Sequence, residues 1–414
     1  MIVKDFKLKI DDIKADDGDA LELFYSGMKS QETRRTMGGN LQQFLVDVCQ
    51  DILEGDINQR AEQFVNIARK DQQRAVQIIL AYTKMLKSRT TLAKNDKDYL
   101  NPSSIPNKIK PIKKLLDMSG VGLGWKRIYC TYPEEDNTHK GRGYTRDEIK
   151  MLLEYADGLA TEFFILAACS GGMRVGAWEN LKWECVFPIY QEDNEYEIKS
   201  TNDNGVIVCA AMIVYKGTHE EYVSLISKEA WDKLELYKRE WAQITNREPS
   251  NSDFLLLEKF GTSPMTVSAI RKRMSKLVRK AGLRGRLPDG QKRHEVPATH
   301  GFRRFWNKVM MDTVRSSDKL SALVKKERLL GHGGITKTDK NYYWTDILDL
   351  VPDYIIAMPD LTINDSERLR VELETEKTKT DQMTRLNHEK DVALLRLEEL
   401  EAKVHRMERY ETVT

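Results

Sequence analysis

At 414 residues, 40% of them hydrophobic and 31% charged, the chain is long enough for two or three domains with sizeable cores, and its composition suits a helix-rich protein. It has no apolar run long enough to cross a bilayer and no apolar stretch near its N-terminus, which argues against a membrane span or export and for a cytoplasmic protein. The net charge of +2 excludes little by itself, but its distribution is uneven: residues 264–328 hold eighteen Lys/Arg against five Asp/Glu.

Residues 1–29 are acidic and mixed, with Asp11-Asp12 and Asp16-Asp17-Gly18-Asp19, and read as an N-terminal arm that is either loose or opens on a short helix. Ser30 is placed to cap a helix in which Leu41, Phe44, Leu45 and Val48 fall at helical spacing. Ile57 to Leu86 repeats that spacing through Phe64, Ile67, Ala68, Val76, Ile79 and Leu80. After the turn-rich stretch Asn101 to Pro106, another helix is expected from Pro106 to Met118, ending near Gly120. Residues 30–131 therefore read as an all-α bundle. It carries Lys84, Lys87, Arg89, Lys108, Lys110, Lys113 and Lys114, which by themselves are ordinary surface cations. Residues 132–144, polar and charged with Pro133, Gly141 and Gly143, read as an interdomain linker.

Thr145 and Glu148 form a capping-box pair, followed by Ile149, Leu152, Leu153 and Tyr155 as the face to be buried. Thr161 to Ser170 is nearly all apolar and predicts a buried helix, and Gly171-Gly172 allow a tight turn before Arg174. Arg174 is either a structural partner of Glu179 or a phosphate contact. From Asp193 to Thr218 the chain alternates like a sheet, with strands at Glu197–Lys199, Val206–Val208 and Met212–Tyr215 and a turn at Asn202–Gly205. Lys216-Gly217 occupies the next tip, before Glu221 to Leu225.

Helices are expected at Trp231–Trp241 and Val267–Lys280. The second carries Arg271, Lys272, Arg273, Lys276, Arg279 and Lys280. A solvated face usually mixes signs; cations this dense make a surface that releases counterions from a phosphate backbone, so double-stranded DNA is the expected partner. His300-Gly301-Phe302-Arg303-Arg304 follows, with His300 and Arg303 three apart on one helical face and Phe305, Trp306 and Val309 to Met311 supplying the apolar one. Downstream lie Leu330-Gly331-His332-Gly333-Gly334 and Asn341-Tyr342-Tyr343-Trp344.

Residues 365–414 read as one long helix, free of Gly and Pro from Ser366 to Met407. Its second half shows the a/d-like series Met383, Leu386, Lys390, Ala393, Leu397, Leu400, Val404 and Met407. It is either a coiled coil or a single charged helix held by i,i+4 ion pairs. The five cysteines (Cys49, Cys130, Cys169, Cys185 and Cys209) are scattered, odd in number and without a Cys-x-x-Cys pair, as expected for reduced thiols and not for a disulfide frame or zinc site.

Taken in order, these pieces resemble the tyrosine recombinase (phage integrase) family, in which an Arg follows a Gly-rich turn and a Lys sits in a β-hairpin. A His-x-x-Arg, a Leu-Gly-His and a nucleophilic Tyr then follow. The stretch Tyr342 to Asp346, with Asp360 to Asn364, is most similar to archaeal virus and plasmid integrases. The resemblance covers roughly residues 142–364. It implies a multidomain, mainly α protein: an N-terminal all-α core-binding bundle that clamps one face of DNA, then an α+β catalytic domain over 145–364 with a small antiparallel sheet, and a C-terminal long helix.

The resemblance further implies Arg174, Lys216, His300, Arg303 and His332 as catalytic residues, no cofactor or metal, and a homotetramer on DNA; the a/d-like series, if it is a coiled coil and not a single helix, adds self-association through the C-terminal helix. Arg304 joins the basic helix as a DNA contact. The family's usual nucleophile position falls at Asn341, so the loop carries a small insertion; Tyr342 is the nearer candidate and Tyr343 the alternative. A type IB topoisomerase shares the same residue kit, and an inactive DNA-binding relative is a third reading.

The chemistry suits those residue types. Two guanidiniums can each offer a planar fork of donors to the non-bridging oxygens of one phosphate, and they count most where negative charge grows in the transition state. A lysine can protonate the leaving 5′-oxygen. A tyrosine hydroxyl, with a reference pKa of about 10, needs neighbouring positive charge to attack. The resulting 3′-phosphotyrosyl bond conserves the bond energy, so rejoining requires no ATP.

Overall fold

The computed structural model describes residues 19–134, 141–192, 195–198, 205–258, 263–285, 287, 294–315, 319–332 and 347–411. They form two compact units that divide between Lys140 and Gly141, except that Leu287 also belongs to the first.

The first unit is all α-helical: α1 (Ala20–Ser26), α2 (Gln31–Gln42) continued by a π-helical turn (Gln43–Val48), α3 (Ile57–Lys70), α4 (Gln72–Thr90), α5 (Ile105–Met118) and α6 (Trp125–Tyr129). Part of the expected arm is thus the short opening helix: Asp19 caps α1, and Ala20, Leu21 and Phe24 are buried. Ser30 does stand at the N-cap of α2, but its side chain makes no capping bond. The repeat from Ile57 to Leu86 is broken at Asp71, whose backbone leaves the helical region and whose carboxylate accepts from Arg74 N–H to start α4. Phe44 packs edge-on against Phe64 at 5.1 Å, and both join Leu41, Ile79 and Ile112 in one fully buried core.

Not every cation of this unit faces outward. Lys108 donates to Asn40 and Gln43 at 2.8 and 2.7 Å, Arg89 donates to the Asp98 carbonyl, and Lys113 lies over the Trp125 ring at 5.3 Å. Lys84, Lys87 and Lys110 remain exposed.

The second unit opens earlier than the predicted linker end. Tyr144 donates its hydroxyl to the Ala298 carbonyl and its N–H to the Gly301 carbonyl, and Arg142 forms a bidentate pair with Glu148 at 2.7 Å. The expected capping box at Thr145 and Glu148 begins α7 (Arg146–Glu154). Next comes α8 (Leu159–Gly171), buried on nearly every side as its composition predicts.

The sheet follows, with strands β1 (Val186–Glu192), β2 (Glu195–Glu197), β3 (Val206–Val214) and β4 (Tyr222–Ser227) in the order β2-β1-β3-β4, all antiparallel. Two differences from the sequence reading have physical causes. β1 carries Pro188, which argues against an interior strand, yet it pairs on both sides. Val206–Val208 and Met212–Val214 are one strand, because Cys209 to Met212 are buried on both faces and so do not alternate. The Asn202–Gly205 turn lies outside the described residues except for Gly205.

Beyond the sheet come α9 (Lys228–Thr245), α10 (Val267–Lys280), α11 (His300–Arg315), α12 (Lys319–Leu329), α13 (Val351–Leu361) and α14 (Asp365–Glu411). The core gathers around α8, with Trp178, Trp241, Trp306 and Tyr354 among its largest fully buried side chains. All five cysteines are free thiols. Among the described residues no helix is long and apolar enough to cross a membrane.

Candidate active site

The site is organised by the C-terminal end of α8, where helix geometry leaves carbonyls without intrahelical partners. Three separate elements supply donors. Tyr354 of α13 donates to the Ser170 carbonyl at 3.0 Å, Ser224 of β4 to the Gly171 carbonyl at 2.7 Å, and Arg303 of α11 to the Gly172 carbonyl at 2.8 Å. Gly172 itself is left-handed, with φ +63°, and a Cβ there would meet the Trp306 ring at 2.7 Å, so only glycine fits. This fixes the turn that presents Arg174 two residues later.

Arg303 is 6% exposed and uses both ends of its fork. One nitrogen binds the Gly172 carbonyl; the other donates to the Leu330 carbonyl at 2.9 Å and to His332 Nε2 at 3.1 Å. A guanidinium has no lone pair to offer, so Nε2 must accept and Nδ1 must carry the proton. Nδ1–H then donates to the Glu327 carboxylate. The other Glu327 oxygen pairs at 2.6 Å with the buried Lys326, which donates to Asn307 of α11 at 2.9 Å. The chain Asn307–Lys326–Glu327–His332–Arg303 thus closes on α11, with α12 held between.

His332 arrives there by a helix cap. The His332 N–H bonds back to the Glu327 carbonyl and the Gly331 N–H to the Arg328 carbonyl, the two bonds of a Schellman motif, with Gly331 left-handed at φ +67°. A Cβ on Gly331 would strike the Tyr222 ring at 2.5 Å. The Leu-Gly-His signature is therefore a helix stop whose first residue past the glycine is the candidate site histidine.

Arg174 is exposed, and among the described residues no carboxylate pairs with it. Glu179, the structural partner considered from the sequence, instead accepts from Val267 N–H at the start of α10. The field of Arg174 reaches the other site groups. Burial, then Arg174, lowers the pKa of Arg303; burial, then Arg304, Arg303 and Arg174, lowers that of His300 below the usual histidine range. Burial lifts the Tyr222 hydroxyl to about 12 against the opposing pull of Arg303 and Arg174. Arg174, His300, Arg303 and His332 are thus brought together in one electropositive cluster.

Lys216 lies at the β3–β4 tip, where Tyr215 (φ +56°) and Gly217 (φ +75°) reverse the chain. It is exposed and paired at 3.0 Å with Glu184, whose hydrogen bond raises the lysine's pKa. Tyr342 and Tyr343 lie outside the described residues.

The basic helix α10 buries Ile270, Met274, Leu277 and Val278. Arg271, Lys272, Lys276 and Arg279 line one shallow exposed depression with Ser268 and Ser275. Arg273 is half-buried, and Lys280 turns back to the Tyr155 carbonyl and ring. Arg304 is half-buried too, and one of its buried guanidinium nitrogens is unbonded among the described residues. Sequence reasoning missed Glu327, which bonds the His332 ring, and Tyr222, which lies against Arg303 and Gly331; both meet the site only through the tertiary fold, and no spacing rule advertises that.

Among solved structures, similarity is found to XerA recombinase at 17% identity, covering 86% of this chain and 97% of that one, with a TM-score of 0.32. A lambda integrase(75-356) dimer bound to a COC′ core site matches at 14% identity over 79% and 95%, TM-score 0.43. The Tn1549 transposon integrase in complex with transposon right end DNA matches at 14% over 81% and 98%, TM-score 0.40. Comparison with curated proteins gives no match. Likenesses this distant carry no argument by themselves; residues 143–346 of this chain match the phage integrase family.

Proposed function

We propose that the protein is a site-specific DNA recombinase that cuts and rejoins DNA through a 3′-phosphotyrosyl intermediate, integrating or excising a mobile element. The observation that carries this reading is the buried Arg303 fork beside the exposed Arg174, neither of them paired with a carboxylate among the described residues. Two cations left uncompensated in this way suit an anion that arrives from outside.

In this reading Arg174 and Arg303 hold the scissile phosphate and stabilise the charge that grows on it. His300, kept neutral near pH 7 by burial and its arginine neighbours, accepts or relays the nucleophile's proton. His332 adds a hydrogen bond fixed by Glu327. Lys216, released from Glu184, protonates the departing 5′-oxygen. Tyr342 attacks, with Tyr343 as the alternative. The α10 depression and the helical first unit, as the core-binding domain, contact the duplex backbone. The protein works as a homotetramer on DNA in the cytoplasm, associated with the nucleoid. The C-terminal helix is one means of self-association, and the sequence around Tyr342 to Asp346 points to an archaeal virus or plasmid source.

The test is a suicide substrate bearing the element's crossover site, defined by sequencing its junctions. Denaturant-stable protein–DNA adducts are expected, and Tyr342→Phe should abolish them. If Tyr343→Phe does so instead, the nucleophile changes and the mechanism stands. Absence of adducts leaves the inactive DNA-binding reading, and vigorous relaxation of plasmids lacking the site favours the topoisomerase.

A further inference from the structure

Helix α14, 47 residues long, is tied to the second unit at its base. Asn364 caps it through the Ser366 and Glu367 N–H groups, Lys150 pairs with Asp365 at 2.7 Å, and Val371 packs on the core. Its ion pairs Arg368–Glu372 and Arg370–Glu367, at 2.8 and 2.9 Å, also lie in the first turns. Further along, Met383, Leu386, Leu397 and Leu400 are 63, 61, 55 and 59% exposed, and Lys390 and Ala393 between them are exposed as well. These six residues recur at alternating steps of three and four, the spacing of a coiled-coil seam, and the series continues in the sequence to Val404 and Met407.

We infer that this seam is covered by α14 of a second copy of the chain, in a parallel, in-register, two-stranded coiled coil over residues 383–407. This gives a geometry to the self-association proposed above and rests on it. Charge complementarity sets the direction. With Met383 at position a, the g positions hold Glu389, Arg396 and Lys403, and the e positions Leu394, Glu401 and Glu408. In a parallel pair each g faces the next e of the other strand, so Arg396 meets Glu401 of the second copy, twice. An antiparallel pair centred on the same seam instead sets Arg396 against Arg396 of the second copy. Lys390 at an a position sets the number of strands. In a two-stranded coil its stem can lie along the seam with the ammonium in water, whereas a wider core would bury the charge.

The test uses full-length protein carrying Cys130→Ser, which removes the exposed native thiol and leaves four buried ones. Without DNA, light scattering should give twice the mass of the chain. Adding Leu400→Cys should yield a disulfide-linked dimer on mild oxidation, because position 400 meets its own counterpart. Leu397→Glu with Leu400→Glu should halve the mass while the thermal transition of the folded units stays in place. A particle of single-chain mass, or one of three or more chains, overturns the inference. So does a dimer in which Leu400→Cys stays unbridged while a mixture of Lys390→Cys and Leu400→Cys chains cross-links, which is the antiparallel result. The suicide-substrate assay on the same samples keeps the two readings apart: adducts without dimers sink the coiled coil alone, and dimers without adducts sink the recombinase alone.

Discussion

Replacing Arg303 with alanine should destabilise the second unit as well as its chemistry. The guanidinium donates to two carbonyls, Gly172 at the end of α8 and Leu330 at the end of α12, and so caps two helix C-termini with one cation. Truncation leaves both carbonyls without that donor, at about 1–3 kcal/mol each. Two effects reduce the loss. Water can enter beside the part-exposed His332 ring, and the cost of burying a cation without a counter-anion disappears, which is an appreciable relief. A net loss of about 1–2 kcal/mol follows, or a drop of about 3–6 °C in the melting of a unit this size. Arg303→Lys should fare little better, since a single ammonium cannot span both carbonyls in the plane of a fork. Calorimetry on the full-length chain, resolving the two units' transitions, is the assay. Adduct formation should fall by about 10²–10³-fold in both variants. An Arg303→Ala protein that melts higher than the parent would refute the capping argument, because burial of the charge would then outweigh its hydrogen bonds.

Glu327→Gln keeps an acceptor for His332 Nδ1–H and should preserve most adduct formation. Glu327→Leu releases the ring and should lower the rate by about 10²-fold; equal losses in both would mean that charge, not tautomer, is what Glu327 supplies. Gly331→Ala meets both a left-handed backbone and the Tyr222 ring, so a stability loss of at least about 1 kcal/mol is expected by thermal melt, together with misplacement of His332. His300 has a folded-state pKa below its unfolded value near 6.5, so the unfolded chain takes up a proton first as pH falls. Stability should therefore be full above that pH and decline as pH drops through the window beneath it, and His300→Asn should flatten this part of a melting-versus-pH series. Lys276→Ala with Arg279→Ala should reduce the slope of log affinity against log salt by about 0.9 for each phosphate left without its cation, and an unchanged slope would take the α10 depression off the DNA.

The side chains proposed to carry chemistry were legible as a group because their spacing is local. His300 and Arg303 share a face of α11 for the same reason that any i,i+3 pair does, and Gly171-Gly172 announces a sharp turn before Arg174 whatever the fold. Lys216 at a hairpin tip needed only the recognition of two flanking strands. β1 was hidden by Pro188, and the middle of β3 by burial on both faces, since each removes the signal on which a strand is read. The Asp71 break was hidden by a hydrophobic period that runs through it.

What holds the site together was illegible for a deeper reason. The partners of Arg303 are backbone carbonyls at the ends of two helices, and a carbonyl has no residue type. Such partners exist only once α8 and α12 have stopped at Gly172 and Gly331 and docked beside α11. Because those stops are left-handed glycines pressed against Trp306 and Tyr222, the local turn and the tertiary contact select the same residue. The cluster therefore forms only as the helix ends themselves meet, and a change at either glycine should reach Arg303 without touching it.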